Sequence, residues 1–226
     1  MKKFFWLILF GVILAADLLT GYLDPEAARY LTKPLVVISL AAYFISQTTS
    51  VHSVLNKWIM LALLFSLGGD VLLLFEPKDP IFFLLGLSSF LLAHIFYIIF
   101  FHSIRVRERI SGNFLLLLIV IVYYTALMTM LSPYLDKMKL PVRIYGVVIS
   151  FMLMLALHAG FIKNKRAAWW MITGAALFII SDSLLAINKF YFPFQYAGIA
   201  VMLTYGLAQL FIVEGAIRYI VSEKAE

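Results

Sequence analysis

The chain contains no cysteine and little charge: only 13% of its 226 residues are charged, whereas 64% are hydrophobic. The lack of cysteine excludes disulfides, thiolate metal ligands and a cysteine nucleophile. The scarcity of charge excludes an ordinary soluble domain, because too few polar side chains are present to cover its surface. The sequence therefore predicts a protein whose solvent is lipid.

Common catalytic and binding motifs are also missing. The sequence has no G-x-S-x-G elbow, no P-loop and no dinucleotide-binding glycine motif following a strand. No two histidines have the spacing of metal ligands, and we expect neither a metal nor a cofactor. The net charge of +6 comes from single basic residues in loops. This pattern excludes a nucleic-acid partner and fits contact with anionic membrane lipids.

Eight apolar segments account for most of the chain, and most approach the roughly 20 residues needed to cross a bilayer. The predicted fold is an all-α polytopic membrane protein with spans at about 4–23, 32–47, 56–75, 81–102, 113–132, 141–162, 168–188 and 195–218. Short charged or proline-containing breaks separate the segments, and no linker is long enough to divide two domains. We therefore predict one integral membrane helical domain over 1–226.

The first segment begins like a signal peptide, but its apolar run continues through Leu18 and Leu19 without a clear cleavage site. We expect it to be an uncleaved first helix. With eight spans, both termini share one side, which carries 11 lysines and arginines against 7 on the other. The positive-inside rule then predicts that both termini lie in the cytoplasm.

Two aspartates, Asp70 and Asp182, fall inside apolar segments. A carboxylate at such a depth costs about 2.5 kcal/mol or more, so it usually faces a polar interior. Counted along their helices, the two lie at similar depths, where they can form a carboxylate pair. Burial and mutual repulsion then favour one as a proton donor and the other as an ionised partner or base. The alternative is structural: each aspartate is satisfied by Ser66, Lys189 or a tyrosine hydroxyl in helix packing.

The aspartates also indicate an internal repeat, because helices 3 and 7 carry similar short motifs 112 residues apart. This offset predicts a parallel repeat of four plus four helices, with the site at the interface of the halves. The match covers only a few residues, and chance is the alternative explanation.

Other polar residues follow helical spacing. Helix 4 carries a stripe of Gly86, Phe90, His94 and Tyr97, and helix 8 carries Tyr205 and Gln209. His94 is either a proton shuttle or a neutral histidine bonded to Tyr97 or a carbonyl. Counting residues places His94 and Gln209 well away from Asp70, nearer the cytoplasmic face.

Lys33 and Pro34 are predicted to open helix 2, where exposed N–H groups attract anions. Lys33 there suits a lipid phosphate, and its alternative role is to anchor the helix at the interface. Five further residues are second-rank site candidates: Asp17, Ser66, Ser181, Asn188 and Lys189.

The ordered set of motifs resembles the YhhN family, which includes transmembrane lysoplasmalogenases. The resemblance is carried by Thr32-Lys33-Pro34-Leu35, Gly69-Asp70, Gly86-x₃-Phe90-x₃-His94-x₂-Tyr97, Ser181-Asp182-x₂-Leu185-Ala186 and Tyr205-x₃-Gln209. It implies an integral membrane hydrolase that cleaves the vinyl ether bond of a lysoplasmalogen, giving a fatty aldehyde and a glycerophospho-alcohol. Because the family has bacterial members, we expect a bacterial inner membrane protein.

Under this resemblance Asp70 and Asp182 are the acid–base pair, since vinyl ether cleavage begins with protonation of carbon. Lys33 holds the lipid phosphate, while His94, Tyr97, Tyr205 and Gln209 position water or the ether oxygen. The expected partners are a lysophospholipid or lysoplasmalogen substrate and the surrounding membrane lipids.

Two other functions fit the same residues. One is a hydrolase of another lysolipid or of an amide-linked lipid. The other is a small proton-coupled lipid transporter or binding protein, for which the four-plus-four repeat is the main support. An enzyme is expected to show one pocket, polar at its tip and apolar along its length, whereas a transporter opens alternately to both faces.

Overall fold

The structure is a computed structural model that describes residues 2–23 and 26–223. Eight helices are long and apolar enough to cross a membrane, which confirms the predicted fold class. In order they are α1 (Lys2–Leu23), α2 (Glu26–Thr48), α3 (Val54–Leu74), α4 (Ile81–Arg107), α5 (Phe114–Leu131), α6 (Lys139–His158), α7 (Lys165–Ala186) and α8 (Ala197–Glu223). A π-helical turn, Ile187–Tyr191, continues α7, and short 3₁₀ turns flank α6.

The start of α2 differs from the predicted boundary. The helix begins at Glu26, so Pro34 lies inside it rather than in its first turn. The prediction that Lys33 and Pro34 open the helix, beside free N–H groups, is therefore wrong. An internal proline is tolerated in a membrane helix because neighbouring groups and local adjustments satisfy the carbonyl that loses its donor. Lys33 consequently projects from within the span.

The closest helix contacts depend on glycine. A Cβ atom placed on Gly174 of α7 would lie 2.7 Å from the backbone nitrogen of Ile212 in α8. Likewise, a Cβ on Gly215 of α8 would lie 2.9 Å from the backbone nitrogen of Met171 in α7. Small residues let membrane helices approach in this way, where van der Waals packing drives association. The result is a close α7–α8 pair that holds the side chains of both helices in fixed register.

Asp70 and Asp182 lie near the same end of the bundle. We call this the distal end: it contains the α3–α4 connection and the α7–α8 connection. Asp70 is four residues before the end of α3, and Asp182 is four residues before the end of α7. The four-plus-four repeat stays a prediction, since tight packing within α3–α4 and α7–α8 is a general property of helical hairpins.

A buried glutamate, Glu214, joins three helices at the opposite end of the bundle. Glu214 of α8 accepts hydrogen bonds from Lys3 Nζ at 2.6 Å, Tyr43 Oη at 2.6 Å and Arg218 Nε at 2.7 Å. These partners lie on α1, α2 and α8. A buried carboxylate is stable only when it is paired and hydrogen-bonded, as this one is. The cluster therefore ties the first two helices to the last.

Candidate active site

Asp70 lies in a polar group between α2, α3 and α8. The Tyr205 hydroxyl donates to Asp70 Oδ2 at 2.7 Å, and Lys33 Nζ lies 3.6 Å from Oδ1. The side chain of Asp70 is only 2% exposed. Lys33 thus neutralises Asp70 inside the bundle rather than standing at a helix start.

The polar group continues toward the bundle centre through an amide. Gln209 Nε2 donates to Ser66 Oγ at 2.8 Å, and the Tyr97 hydroxyl donates to Gln209 Oε1. All three side chains are buried. A buried network in which each group has its partner rigidifies a core, because any loss would leave an unpaired polar atom. Gln209 and Tyr97 therefore connect α3, α4 and α8.

Asp17 of α1 is buried on the outer flank of the same group. Its Oδ1 accepts from Thr32 Oγ1 at 2.7 Å, whereas its Oδ2 has no hydrogen-bond partner. Asp17 lies within electrostatic range of Asp70. The Asp70 group thus contains two carboxylates and the Lys33 ammonium.

Asp182 belongs to a second group, formed by α4, α6 and α7. The Tyr145 hydroxyl donates to Asp182 Oδ2 at 2.6 Å, and His94 Nε2 lies 3.6 Å from the same oxygen. The Asp182 side chain is 15% exposed, far more than that of Asp70. It is therefore the carboxyl group of the two that a molecule from outside can reach.

The His94 ring has one bonded and one unbonded nitrogen. Nδ1 lies 2.7 Å from the Phe90 carbonyl oxygen, which can only accept, so Nδ1 carries the proton. In a neutral ring Nε2 is then an acceptor. Nε2 is buried without a hydrogen-bond partner and faces Asp182. An acceptor nitrogen opposite a carboxyl group suits a protonated Asp182, because two acceptors would repel each other.

The two aspartates are not in contact. Among the residues that the structure describes, no hydrogen bond or ion pair joins Asp70 to Asp182, and each has its own tyrosine partner. Phe178 lies between the groups, with ring centroids 4.6 Å from His94 and 5.5 Å from Tyr205. The shared carboxylate pair expected from the sequence is thus replaced by two separate polar groups in one bundle.

A small cavity reaches Asp182. Its volume is about 40 Å³, enough for a few water-sized groups. Besides Asp182 and Tyr145 it is lined by apolar side chains: Leu73, Phe83, Leu87, Phe90, Val142, Leu185, Ala186 and Phe190. Phe90 is at the deep end with Asp182, whereas Phe83 and Phe190 lie toward the distal end. The cavity is therefore apolar along its length and polar at its tip.

The remaining second-rank residues have separate positions. Ser181 Oγ donates to the Val201 carbonyl at 2.9 Å, and Asn188 Oδ1 accepts from the Phe194 amide at 3.2 Å. Both bonds brace α7 or its π-helical turn. Lys189 instead forms an ion pair with Glu76 of the α3–α4 connection. Ser181 and Asn188 are thus structural, while Lys189 lies beside the cavity.

Two site residues escaped the sequence reasoning, Tyr145 and Glu76. Tyr145 is a tyrosine within an apolar helix that shows no polar stripe, so nothing in the pattern distinguishes it. Glu76 precedes Pro77 in a charged turn, a position typical of the boundary between two helices. Within the described residues, no group of three or more His, Asp or Glu side chains is arranged to hold a metal ion.

The fold and the two polar groups define an integral membrane protein of eight helices with buried carboxyl groups near one end of the bundle. The chain belongs to the YhhN family, whose sequence profile matches residues 28–216. Its relatives include the lysoplasmalogenase TMEM86B of Rattus norvegicus, 33% identical over 159 residues, or 70% of this chain and 60% of that protein. The lysoplasmalogenase of Mycobacterium tuberculosis is 30% identical over 163 residues, or 71% of this chain and 60% of that protein.

A longer alignment is found with the lysoplasmalogenase TMEM86B of Sus scrofa, 30% identical over 189 residues, or 84% of this chain and 75% of that protein. For the rat and mycobacterial relatives, the chain spans about 60% of their length. No solved structure matches the chain.

Proposed function

We propose that the chain is a lysoplasmalogenase-like hydrolase that cleaves the vinyl ether bond of lysoplasmalogens at Asp182. The observation that carries this proposal is a carboxyl group at the tip of an apolar cavity. Membership in a family with relatives named lysoplasmalogenase supports the same activity. The alkenyl carbons next to the ether oxygen are apolar, so the apolar lining around Asp182 suits them.

The proposed reaction uses Asp182 first as an acid and then as a base. Its O–H transfers a proton to the alkenyl carbon remote from oxygen, and the double-bond electrons form the new C–H bond. The resulting oxocarbenium ion accepts water at the carbon bonded to oxygen, and the Asp182 carboxylate takes the proton that water loses. In the hemiacetal, the hydroxyl group then loses its proton as the bond between its carbon and the glycerol oxygen breaks. The departing glycerol oxygen takes up a proton, which gives the aldehyde and the glycerophospho-alcohol. One carboxyl group can thus serve both steps.

Asp182 is favoured over Asp70 by access and by charge. Asp70 is enclosed and lies 3.6 Å from the Lys33 amine, which provides a counter-charge for its carboxylate form. Among the described residues, no lysine or arginine lies within ion-pair distance of Asp182. His94 does lie within that distance, but its Nε2 is an acceptor in the neutral ring. Protonation of carbon needs a neutral acid, which Asp182 is placed to provide.

His94 and Tyr145 have supporting roles in this proposal. The Tyr145 hydroxyl fixes the orientation of the Asp182 carboxyl group through its 2.6 Å hydrogen bond. His94 Nε2 is the unbonded acceptor nearest to that group, and we assign it to hold the attacking water. Because the cavity is much smaller than an alkenyl chain, we expect Phe83 and Phe190 to separate before the alkenyl carbon reaches Asp182.

The Asp70 group acts on the reaction indirectly. Lys33, Tyr205, Gln209 and Tyr97 are bonded within the bundle, so we assign them to position α8 and α4 rather than to touch the lipid. In this proposal Lys33 therefore does not bind the lipid phosphate, contrary to the role expected from the sequence. We also infer from the charge asymmetry that both termini lie in the cytoplasm, with the distal end facing outward, while the bacterial inner membrane stays a prediction.

The test is an aldehyde-release assay on purified protein in detergent, with a 1-alkenyl lysophospholipid as substrate. We expect aldehyde from the wild type and a loss of about a hundredfold or more in kcat for Asp182→Asn, which keeps the shape but removes the acid. Absence of aldehyde from monodisperse wild-type protein would overturn the vinyl ether assignment. Release of a fatty acid from an acyl or amide-linked lipid would then assign a different hydrolase.

A further inference from the structure

The Glu76–Lys189 ion pair stands at the distal end of the Asp182 cavity. Lys189 Nζ lies 5.2 Å from the centroid of the Phe83 ring, which lines the cavity. Phe83 in turn packs edge-on against Phe190, another lining residue, with ring centroids 5.8 Å apart. The ion pair therefore lies directly above the two aromatic rings that close the cavity.

Local structure accounts for this placement. Lys189 and Phe190 belong to the π-helical turn Ile187–Tyr191, a type of turn that often occurs at functional sites. Lys189 follows Asp182 by seven residues, which corresponds to about 10 Å along a helix. A lipid whose ether group reaches Asp182 would thus have its polar head near Lys189.

Both charges are accessible to a ligand. The side chain of Lys189 is 41% exposed and that of Glu76 is 27% exposed. Partly exposed ion pairs contribute little net stability, so their partners can be exchanged at low cost. A ligand that carries both a phosphate and an ammonium group can replace each partner of the pair and leave no charge unpaired.

We infer that Glu76 and Lys189 form a headgroup-binding site in this protein. Lys189 binds the phosphate and Glu76 binds the ammonium of a zwitterionic lysolipid. The Phe83 ring already lies within cation–π distance of Lys189, the partner of Glu76, so it is placed to receive the ammonium group as well. An anionic head without an amine leaves Glu76 unpaired beside a phosphate, and this repulsion weakens binding. The inference builds on the proposed function because it places the reacting group of the same lipid at Asp182.

The test measures binding rather than turnover, so that it is independent of the vinyl ether chemistry. The probes are saturated 1-O-alkyl lysolipids with phosphocholine, phosphoethanolamine or phosphoglycerol heads, which have no vinyl ether to cleave. Titration calorimetry in detergent gives Kd for the wild type, Glu76→Gln and Lys189→Gln. Lys78→Gln is the matched control. Lys78 lies in the α3–α4 connection, as Glu76 does, but its ammonium group packs over Phe75 and Tyr30.

We expect the wild type to bind the two zwitterionic probes more tightly than the phosphoglycerol probe. Lys189→Gln should weaken all three by about tenfold, the loss of one charge-assisted contact. Glu76→Gln should weaken only the zwitterionic probes and so remove the preference, while Lys78→Gln should resemble the wild type. Equal binding of all probes by the wild type, or equal effects of Lys189→Gln and Lys78→Gln, would overturn the inference.

The two proposals fail in different ways. If headgroup-dependent binding is found but no aldehyde is released, the hydrolase proposal is wrong and the headgroup site stands. If aldehyde is released but Glu76→Gln leaves the headgroup preference unchanged, the hydrolase proposal stands and the headgroup site is wrong.

Discussion

The Tyr145 hydroxyl donates a hydrogen bond of 2.6 Å to Asp182 Oδ2. This contact links α6 to α7 at the tip of the cavity and orients the carboxyl group that we assign as the acid. The corresponding bond in the other polar group joins Tyr205 to Asp70. The two bonds are alike in length, but only the Asp182 side borders the cavity. The site is therefore asymmetric: one carboxyl group borders the cavity, and the other is enclosed among polar side chains.

Removal of the Tyr145 hydroxyl tests this orientation. Tyr145→Phe should lower kcat about tenfold with little change in KM, because the ring stays and the carboxyl group loses a fixed donor. Tyr123→Phe is the control: that hydroxyl bonds to Ser183 Oγ at 2.8 Å and not to Asp182. Steady-state aldehyde release compares the two variants. An equal loss in both would assign Tyr145 a general packing role.

The Lys33–Asp70 pair predicts a stability effect. Asp70→Asn leaves the Lys33 ammonium without its counter-charge inside the bundle, and this should destabilise the protein by about 3 kcal/mol. The double variant Lys33→Met/Asp70→Asn should recover much of that loss, because the ammonium that lost its partner is removed as well. Unfolding in detergent, followed by tryptophan fluorescence, measures both. Additive effects of the two single substitutions would show that the residues are not coupled.

The sequence predicted the architecture well and the site only in part. Eight spans follow from apolar length alone, because backbone groups in lipid must be satisfied within helices. The depth count correctly placed Asp70 and Asp182 at one level. It did not show that they face different partners, since the rotation of each helix is set by packing. Phe178 lies between the two polar groups and Gly174 packs against the α8 backbone, and neither has a sequence signature.

His94 and Gln209 illustrate the same limit of counting. The count of residues along each helix placed both side chains away from Asp70. In the structure, however, Gln209 bonds to Ser66, which lies one turn before Asp70 on α3. His94 lies beside Asp182 because α4 and α7 meet there. Long side chains cover a turn of helix, so residues that differ in depth by count can share one network.

Gly174 is predicted to be intolerant of any side chain. Because a Cβ there would lie 2.7 Å from the Ile212 nitrogen, Gly174→Ala must push α7 and α8 apart, at a cost of about 1–3 kcal/mol. Gly11→Ala is the control, since a Cβ at Gly11 meets no atom within 4 Å. Midpoints of thermal unfolding compare the variants. A Gly174→Ala protein as stable as Gly11→Ala would contradict the close α7–α8 approach.

The Glu214 cluster should matter for stability and not for chemistry. Glu214→Gln leaves Lys3 and Arg218 without their shared carboxylate and should lower the unfolding midpoint. Lys3→Met should have a smaller effect, because Lys3 is partly exposed and Arg218 still pairs with Glu214. In protein that remains folded, kcat should match the wild type. A selective loss of kcat in Glu214→Gln would place this end of the bundle in the reaction.

His94 can be divided into its two nitrogens by substitution. Asparagine places an amide donor near the position of Nδ1, so His94→Asn retains a bond to the Phe90 carbonyl and loses the Nε2 acceptor. Glutamine places its amide oxygen nearer to Nε2, so His94→Gln keeps an acceptor facing Asp182 and loses the bond to Phe90.

If His94 holds the attacking water, His94→Gln should retain about tenfold more activity than His94→Asn. The reverse order would mean that the bond to Phe90 is the important one and that His94 serves the packing of α4. Aldehyde release, measured beside the unfolding midpoint of each variant, separates these outcomes, because a packing role changes stability and activity together.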